Sequence, residues 1–97
     1  MFYGKLSDMG VLKMLNEIRN EIDIIDDQIA DLFNRRMALV TKAAEYKQKN
    51  NIPTLDKTRE CDIIKRVTAA NPDEFTEYTE KLFNTIFELS RGYQNNR

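Results

Sequence analysis

The chain has 97 residues, enough for one small domain and too few for two, with hydrophobic residues at 41% and charged residues at 32%. Its 15 Lys and Arg against 16 Asp and Glu leave a net charge of -1, too balanced for a surface that binds nucleic acid through its phosphates. The absence of histidine excludes His-dependent Ser or Cys triads, His zinc sites and imidazole acid-base catalysis.

Residues 1–10 lack the apolar run of a secretory signal and read as an N-terminal extension to a domain over 11–97. No stretch approaches the roughly 18 apolar residues of a membrane span, so a cytoplasmic protein with no membrane partner is expected. Cys61 is the single cysteine, which excludes an intrachain disulfide and reads as a small packing residue rather than a nucleophile. Gly4, Gly10 and Gly92 are never clustered, so there is no phosphate-cradling loop.

An all-α fold of three helices is predicted. From Val11 to Asn50 there is no proline or glycine, and apolar positions recur at Leu15, Ile18, Ile22, Ile25, Ile29, Leu32, Leu39, Ala43 and Tyr46, a heptad seam interrupted by Arg36. Acidic residues crowd the first half of this helix and basic ones the second, as the helix dipole prefers and as an antiparallel partner would suit. At 1.5 Å per residue it would run about 60 Å, whereas a compact monomer of this length has a radius of gyration near 13 Å. The seam therefore calls for a second chain.

Asn50-Asn51-Ile52-Pro53 ends the first helix, because the residue before proline avoids the α region and paired asparagines favour a turn. A second helix is predicted from an N-cap at Asp56 to Ala70, with Ile63, Ile64 and Val67 on its inner side. Asn71-Pro72-Asp73-Glu74 reads as N-cap, first-position proline and acidic first turn of a third helix. Its expected core stripe is Phe75, Tyr78, Leu82, Ile86, Leu89 and Tyr93, with Phe83 and Phe87 on an adjoining face. Gly92 weakens the last turns by about 1 kcal/mol relative to Ala, which predicts a fraying end.

Several polar residues stand where a purely structural bundle would place apolar ones. Arg36 in the seam must be paired or solvated, whether by a ligand carboxylate, by an ion pair between subunits or by snorkelling. Lys47 lies eleven residues further, within about 20° of the same helix face; it is either a second cation on that face or a solvated residue balancing the dipole. Glu60 shares the face of Ile63, Ile64 and Val67, as an inward carboxylate or a first-turn acid. Ser90 and Gln94, one turn apart, are either two neutral polar groups facing a pocket or surface residues.

Together, Leu15-Asn-Glu-Ile-Arg19, Ile25-Asp26, Asn34-Arg-Arg36, Tyr46-Lys47, Ile52-Pro53, Asp56-x-x-Arg59-Glu60 and Ser90-x-x-x-Gln94 resemble the all-α chorismate mutases of the AroQ class. The resemblance covers nearly the whole chain from Leu15 to Gln94, and the ordered spacing is more specific than any one element. It implies an intertwined helical homodimer in which Arg36, Lys47, Asp56, Arg59, Glu60, Ser90 and Gln94 of one chain are joined by Arg19 of the other. Helix geometry agrees with that borrowing, since Arg19 and Lys47 on one straight helix would be about 42 Å apart.

The reaction implied is the Claisen rearrangement of chorismate to prephenate in phenylalanine and tyrosine biosynthesis, a unimolecular step that needs no cofactor or metal. The resemblance further implies roles for each residue. Arg19 and Arg36 would clamp the two carboxylates, and Lys47 with Gln94 would stabilise charge growing on the ether oxygen. Glu60, with the backbone near Asp56, would accept the ring hydroxyl, Ser90 would contact the ring carboxylate, and Arg59 would act through water or by positioning Glu60. The rivals are a non-catalytic helical dimerisation or regulatory module, and a relative acting on isochorismate-derived substrates.

Overall fold

The computed structural model describes residues 2–70 and 73–96, with side chains from residue 8 onward. Three helices follow in order, α1 (Phe2–Lys49), α2 (Lys57–Ala70) and α3 (Thr76–Asn95), and no strand occurs among the described residues. Contacts divide the chain into two units, Met1–Arg36 and Met37–Arg97. No helix among the described residues is long and apolar enough to cross a membrane.

The first unit is helix throughout its described residues. It begins at Phe2 rather than near Val11, because residues 2–9 contain no proline and the penalty of about 1 kcal/mol at Gly10 is too small to stop a helix. A Cβ placed on Gly10 would meet nothing within 4 Å. Ile18, Ile22, Ile25, Ile29 and Leu32 of the heptad seam are all exposed, with Ile29 at 58%. That apolar stripe has no cover within the unit.

In the second unit the end of α1 is shaped as its sequence predicts. Asn51 takes the left-handed conformation at φ 56°, the Ile52 N–H donates to the Lys47 carbonyl (2.8 Å) and the Asn51 N–H to the Gln48 carbonyl (3.4 Å). These are the two bonds of a Schellman motif, with Pro53 just beyond it preventing continuation. Lys47 and Lys49 complement the dipole in the last turn. Asp56 then caps α2, its Oδ1 accepting the Arg59 N–H at 2.9 Å, as the N-cap reading requires.

α2 and α3 pack on each other, and the pairing of Glu60 near the start of α2 with Arg91 near the end of α3 makes them antiparallel. Ile63 is buried, and Ile64 and Val67 are half-buried, on the face the sequence assigned inward. Three expectations are corrected here. α3 opens at Thr76 instead of at Pro72, after a turn in which the Asp73 carboxylate accepts the Phe75 N–H (2.7 Å) and the Thr76 hydroxyl accepts the Asp73 N–H (3.1 Å). Asn71 and Pro72 themselves lie outside the described residues.

The second correction concerns α3's core. Phe87 is 4% exposed while Leu82 is 55% exposed, and Phe75, Tyr78, Leu89 and Tyr93 are exposed too. The line turned inward runs instead through Phe83, Phe87, Ser90 and Gln94, with the Phe83 and Phe87 rings tilted at 59° and 6.3 Å apart. Ile86 is half-buried at the boundary of the two stripes. α3 thus has two apolar faces, of which α2 covers one. The third correction is Cys61, exposed because it lies off the Ile63 and Val67 face of α2. Gly92 does not interrupt α3, which continues to Asn95 and closes with the Asn96 N–H on the Gly92 carbonyl at 3.2 Å.

Candidate active site

The Schellman turn fixes more than the chain direction. Because Lys47 supplies the carbonyl that accepts its closing bond, its position is set by the same turn that carries the chain into the loop before α2. The Lys47 ammonium reaches across that loop and donates from Nζ to the Thr54 carbonyl at 3.1 Å. Thr54 in turn lines an open cavity of about 590 Å³ whose wall includes Gln48, Ile52, Pro53 and Gln94. That volume lies within the range of small-molecule sites.

Gln94 enters from the end of α3. Its Oε1 is buried and has no hydrogen-bond partner among the described residues, an uncommon state for a buried amide. One turn earlier, Ser90 is 5% exposed, donates its hydroxyl to the Ile86 carbonyl at 2.8 Å and lies 3.5 Å from Met37 Sδ. The bond to Ile86 is ordinary back-bonding within a helix. A hydroxyl keeps acceptor capacity and can rotate its proton elsewhere.

Asp56, Arg59 and Glu60 form one structural unit at the start of α2. The Asp56 carboxylate is committed to the Arg59 amide, so its side chain shapes the helix start while the loop backbone remains beside it. Glu60 faces α3, where its Oε2 accepts from Arg91 NH1. Arg91 has no place in the motif reading. The signals that could have found it are its position next to Ser90 and the antiparallel pairing, which brings the start of α2 to the end of α3. Thr54 was missed as well, since its backbone carbonyl does the work and residue type gives no hint.

The unit from Met37 onward therefore holds six of the eight candidate residues, Lys47, Asp56, Arg59, Glu60, Ser90 and Gln94. Arg19 and Arg36 belong to the first unit, where Arg19 is exposed and Arg36 half-buried.

The family described as chorismate mutase type II matches residues 18–95, which takes in every one of these positions. The chain belongs to this family. It is 33% identical over 88 residues to a chorismate mutase of Methanocaldococcus jannaschii, covering 87% of each chain. It is also 34% identical over 84 residues to a bifunctional chorismate mutase/prephenate dehydratase of Buchnera aphidicola, covering 84% of this chain but 23% of that protein. A similar bifunctional protein of Aquifex aeolicus is 34% identical over 64 residues, 66% of this chain and 18% of its own length. The chain thus spans less than a quarter of these two bifunctional relatives. Among solved structures, a chorismate mutase of Thermus thermophilus superposes with a TM-score of 0.81 at 28% identity, covering 86% of this chain and 96% of that one. The three-helix, all-α architecture is that of the chorismate mutase family.

Proposed function

We propose that this chain is a chorismate mutase that rearranges chorismate to prephenate as a homodimer, with a catalytic domain over 11–97 preceded by a short extension over 1–10. The observation that carries the reading is the bond from the Lys47 ammonium to the carbonyl of Thr54, a residue that lines the same cavity as Gln94. Family membership supplies the reaction to which a cation and a neutral amide fit.

In that reaction the ether C–O bond breaks as a C–C bond forms within one molecule, with no leaving group, proton transfer or cofactor. Negative charge grows on the ether oxygen, and donors already aimed at it lower the barrier because they bind the transition state better than the substrate. Lys47 and Gln94 take that role. Arg36 and Arg19 of the partner subunit clamp the two carboxylates and hold the reactive chair-like conformer. Glu60 accepts the ring hydroxyl with the loop backbone at Asp56, Ser90 contacts the ring carboxylate, and Arg59 assists through water or by positioning Glu60. A cytoplasmic location suits a pathway enzyme with one exposed, unpaired cysteine.

The direct test is to add chorismate and follow its loss and the appearance of prephenate. Turnover well above the buffer rate is expected. A correctly folded dimer without turnover would favour the non-catalytic module, which the exposed seam on α1 by itself also supports. Pyruvate release from isochorismate, with no prephenate from chorismate, would favour the lyase relative.

Two further expectations follow from the same reading. The dimer should be obligate, because the stripe from Ile18 to Leu32 and the outer face of α3 are both exposed in the single chain. Dilution should therefore lose helicity and mass together, and a helical monomer seen by sedimentation at low micromolar concentration would contradict it. Activity should also persist from neutral to mildly alkaline pH, since Gln94 is an amide that donates without having to be protonated. A glutamate there would need its proton and favour acid. A rate falling steeply between about pH 6 and pH 8 would remove Gln94 from this role.

A further inference from the structure

The pair Glu60–Arg91 joins two helices, and it differs from the pair Asp31–Arg35 on α1. Asp31 and Arg35 lie one turn apart on α1 at 3.8 Å, both about 70% exposed, a solvated contact of small consequence. Arg91 and Glu60 are 32% and 26% exposed, come from α3 and α2, and are joined by a direct hydrogen bond as well as by charge. A charge-assisted bond in a half-buried place is stronger and more directional than a surface pair.

Arg91 engages Oε2 and not Oε1. A carboxylate carries acceptor sites on both oxygens, so one oxygen can be tethered while the other receives a ligand hydroxyl. The guanidinium is planar and always charged, and it fixes the plane of the group it holds. Arg91 is also the neighbour of Ser90 and lies one turn before Gln94, so the α3 segment that carries two proposed substrate contacts also carries this tether.

We infer that Arg91 is a positioning residue for substrate recognition, holding Glu60 by one oxygen so that the other meets the ring hydroxyl of the substrate. The inference rests on the chorismate mutase reading given above. Its consequence is selectivity. Without Arg91, Glu60 loses the bond that fixes its plane and meets the hydroxyl less often, so the loss falls on substrates that have this hydroxyl and spares those that lack it.

The test uses the full-length protein, chorismate and a chorismate analogue lacking the ring hydroxyl, with Arg91→Met, Arg91→Lys, Glu60→Gln and the double variant Arg91→Met/Glu60→Gln. Arg91→Met should lower kcat/KM on chorismate by about 10- to 100-fold, the scale of a hydrogen bond to a charged group. On the analogue it should change kcat/KM by less than about twofold, and in the Glu60→Gln background it should add less than about twofold further loss on chorismate. Arg91→Lys should recover part of the loss, because it restores the cation without the rigid fork.

Equal losses on both substrates, or losses that multiply with Glu60→Gln, would overturn the inference and leave Arg91 as a strut between α2 and α3. So would wild-type activity in Arg91→Met. Should Arg91→Met fail to fold, Arg91→Lys decides alone: a loss confined to chorismate supports the positioning role, and a loss common to both substrates, or none, rejects it. If the wild-type protein turns over neither substrate, the mutase reading itself fails, an outcome separate from normal turnover that is indifferent to Arg91.

Discussion

Refolding an equal mixture of Arg19→Ala and Lys47→Ala chains is expected to restore about a quarter of wild-type activity, although each variant alone is nearly inactive. With the proposed shared site, every site in either homodimer would lack a required cation. Random pairing of two chains gives about one half heterodimers. In a heterodimer, one site takes Lys47 from the Arg19→Ala chain and Arg19 from the Lys47→Ala chain, so it is complete. The other site lacks both. One good site of two, in half the dimers, yields the quarter. A mixture no more active than its components would overturn the shared site, because residues serving one site from one chain cannot be rescued by pairing. The experiment needs no knowledge of how tightly the subunits bind, only that they exchange during refolding.

Lys47→Ala by itself should lower kcat at least about 100-fold, the scale seen when one donor to a developing oxyanion is removed. The fold should survive. The closing bond of the α1 terminus uses the Lys47 carbonyl, which alanine retains, and alanine is the better helix former. The Thr54 carbonyl loses an exposed partner that water replaces. Steady-state kinetics beside a thermal melt check both halves: a large fall in kcat with an unchanged melting temperature is expected. A rise in KM alone would mean that Lys47 binds ground state and transition state equally, contrary to the electrostatic role.

A feature is legible in the residues alone where its signal is local. The Asn-Asn-Ile-Pro terminator and the Asp56 cap are decided within five or six residues of backbone, and both formed as expected. The face of α2 was legible because Ile63, Ile64 and Val67 leave a single choice. α3 offered two stripes of equal period, one through Leu82 and Leu89 and one through Phe83 and Phe87. Only the position of α2 breaks that tie, and periodicity contains no such information. The opening of α3 was misread because Pro72 suits a first helical position, yet the Asp73 and Thr76 side chains make a competing turn. Six of the eight candidate residues fall in one unit of the structure, while the Arg91 tether needed the pairing of two helices to become visible.

The left-handed turn at Asn51 has a bearing on how this protein can drift in evolution. Residue 51 is exposed, and by exposure alone it would be free to vary. Yet only glycine, asparagine and occasionally aspartate take a positive φ without strain. The bond that this conformation closes ends on Lys47 itself, so a β-branched residue at 51 would tilt the last turn of α1 and carry the ammonium with it. On the proposed role of Lys47, selection for activity then acts on residue 51 through the turn it closes. Descendants of this sequence should be narrow in their choice at 51 and broad at the equally exposed Lys49 beside it, a pattern in which a solvent-facing position is constrained by the reaction rather than by the fold.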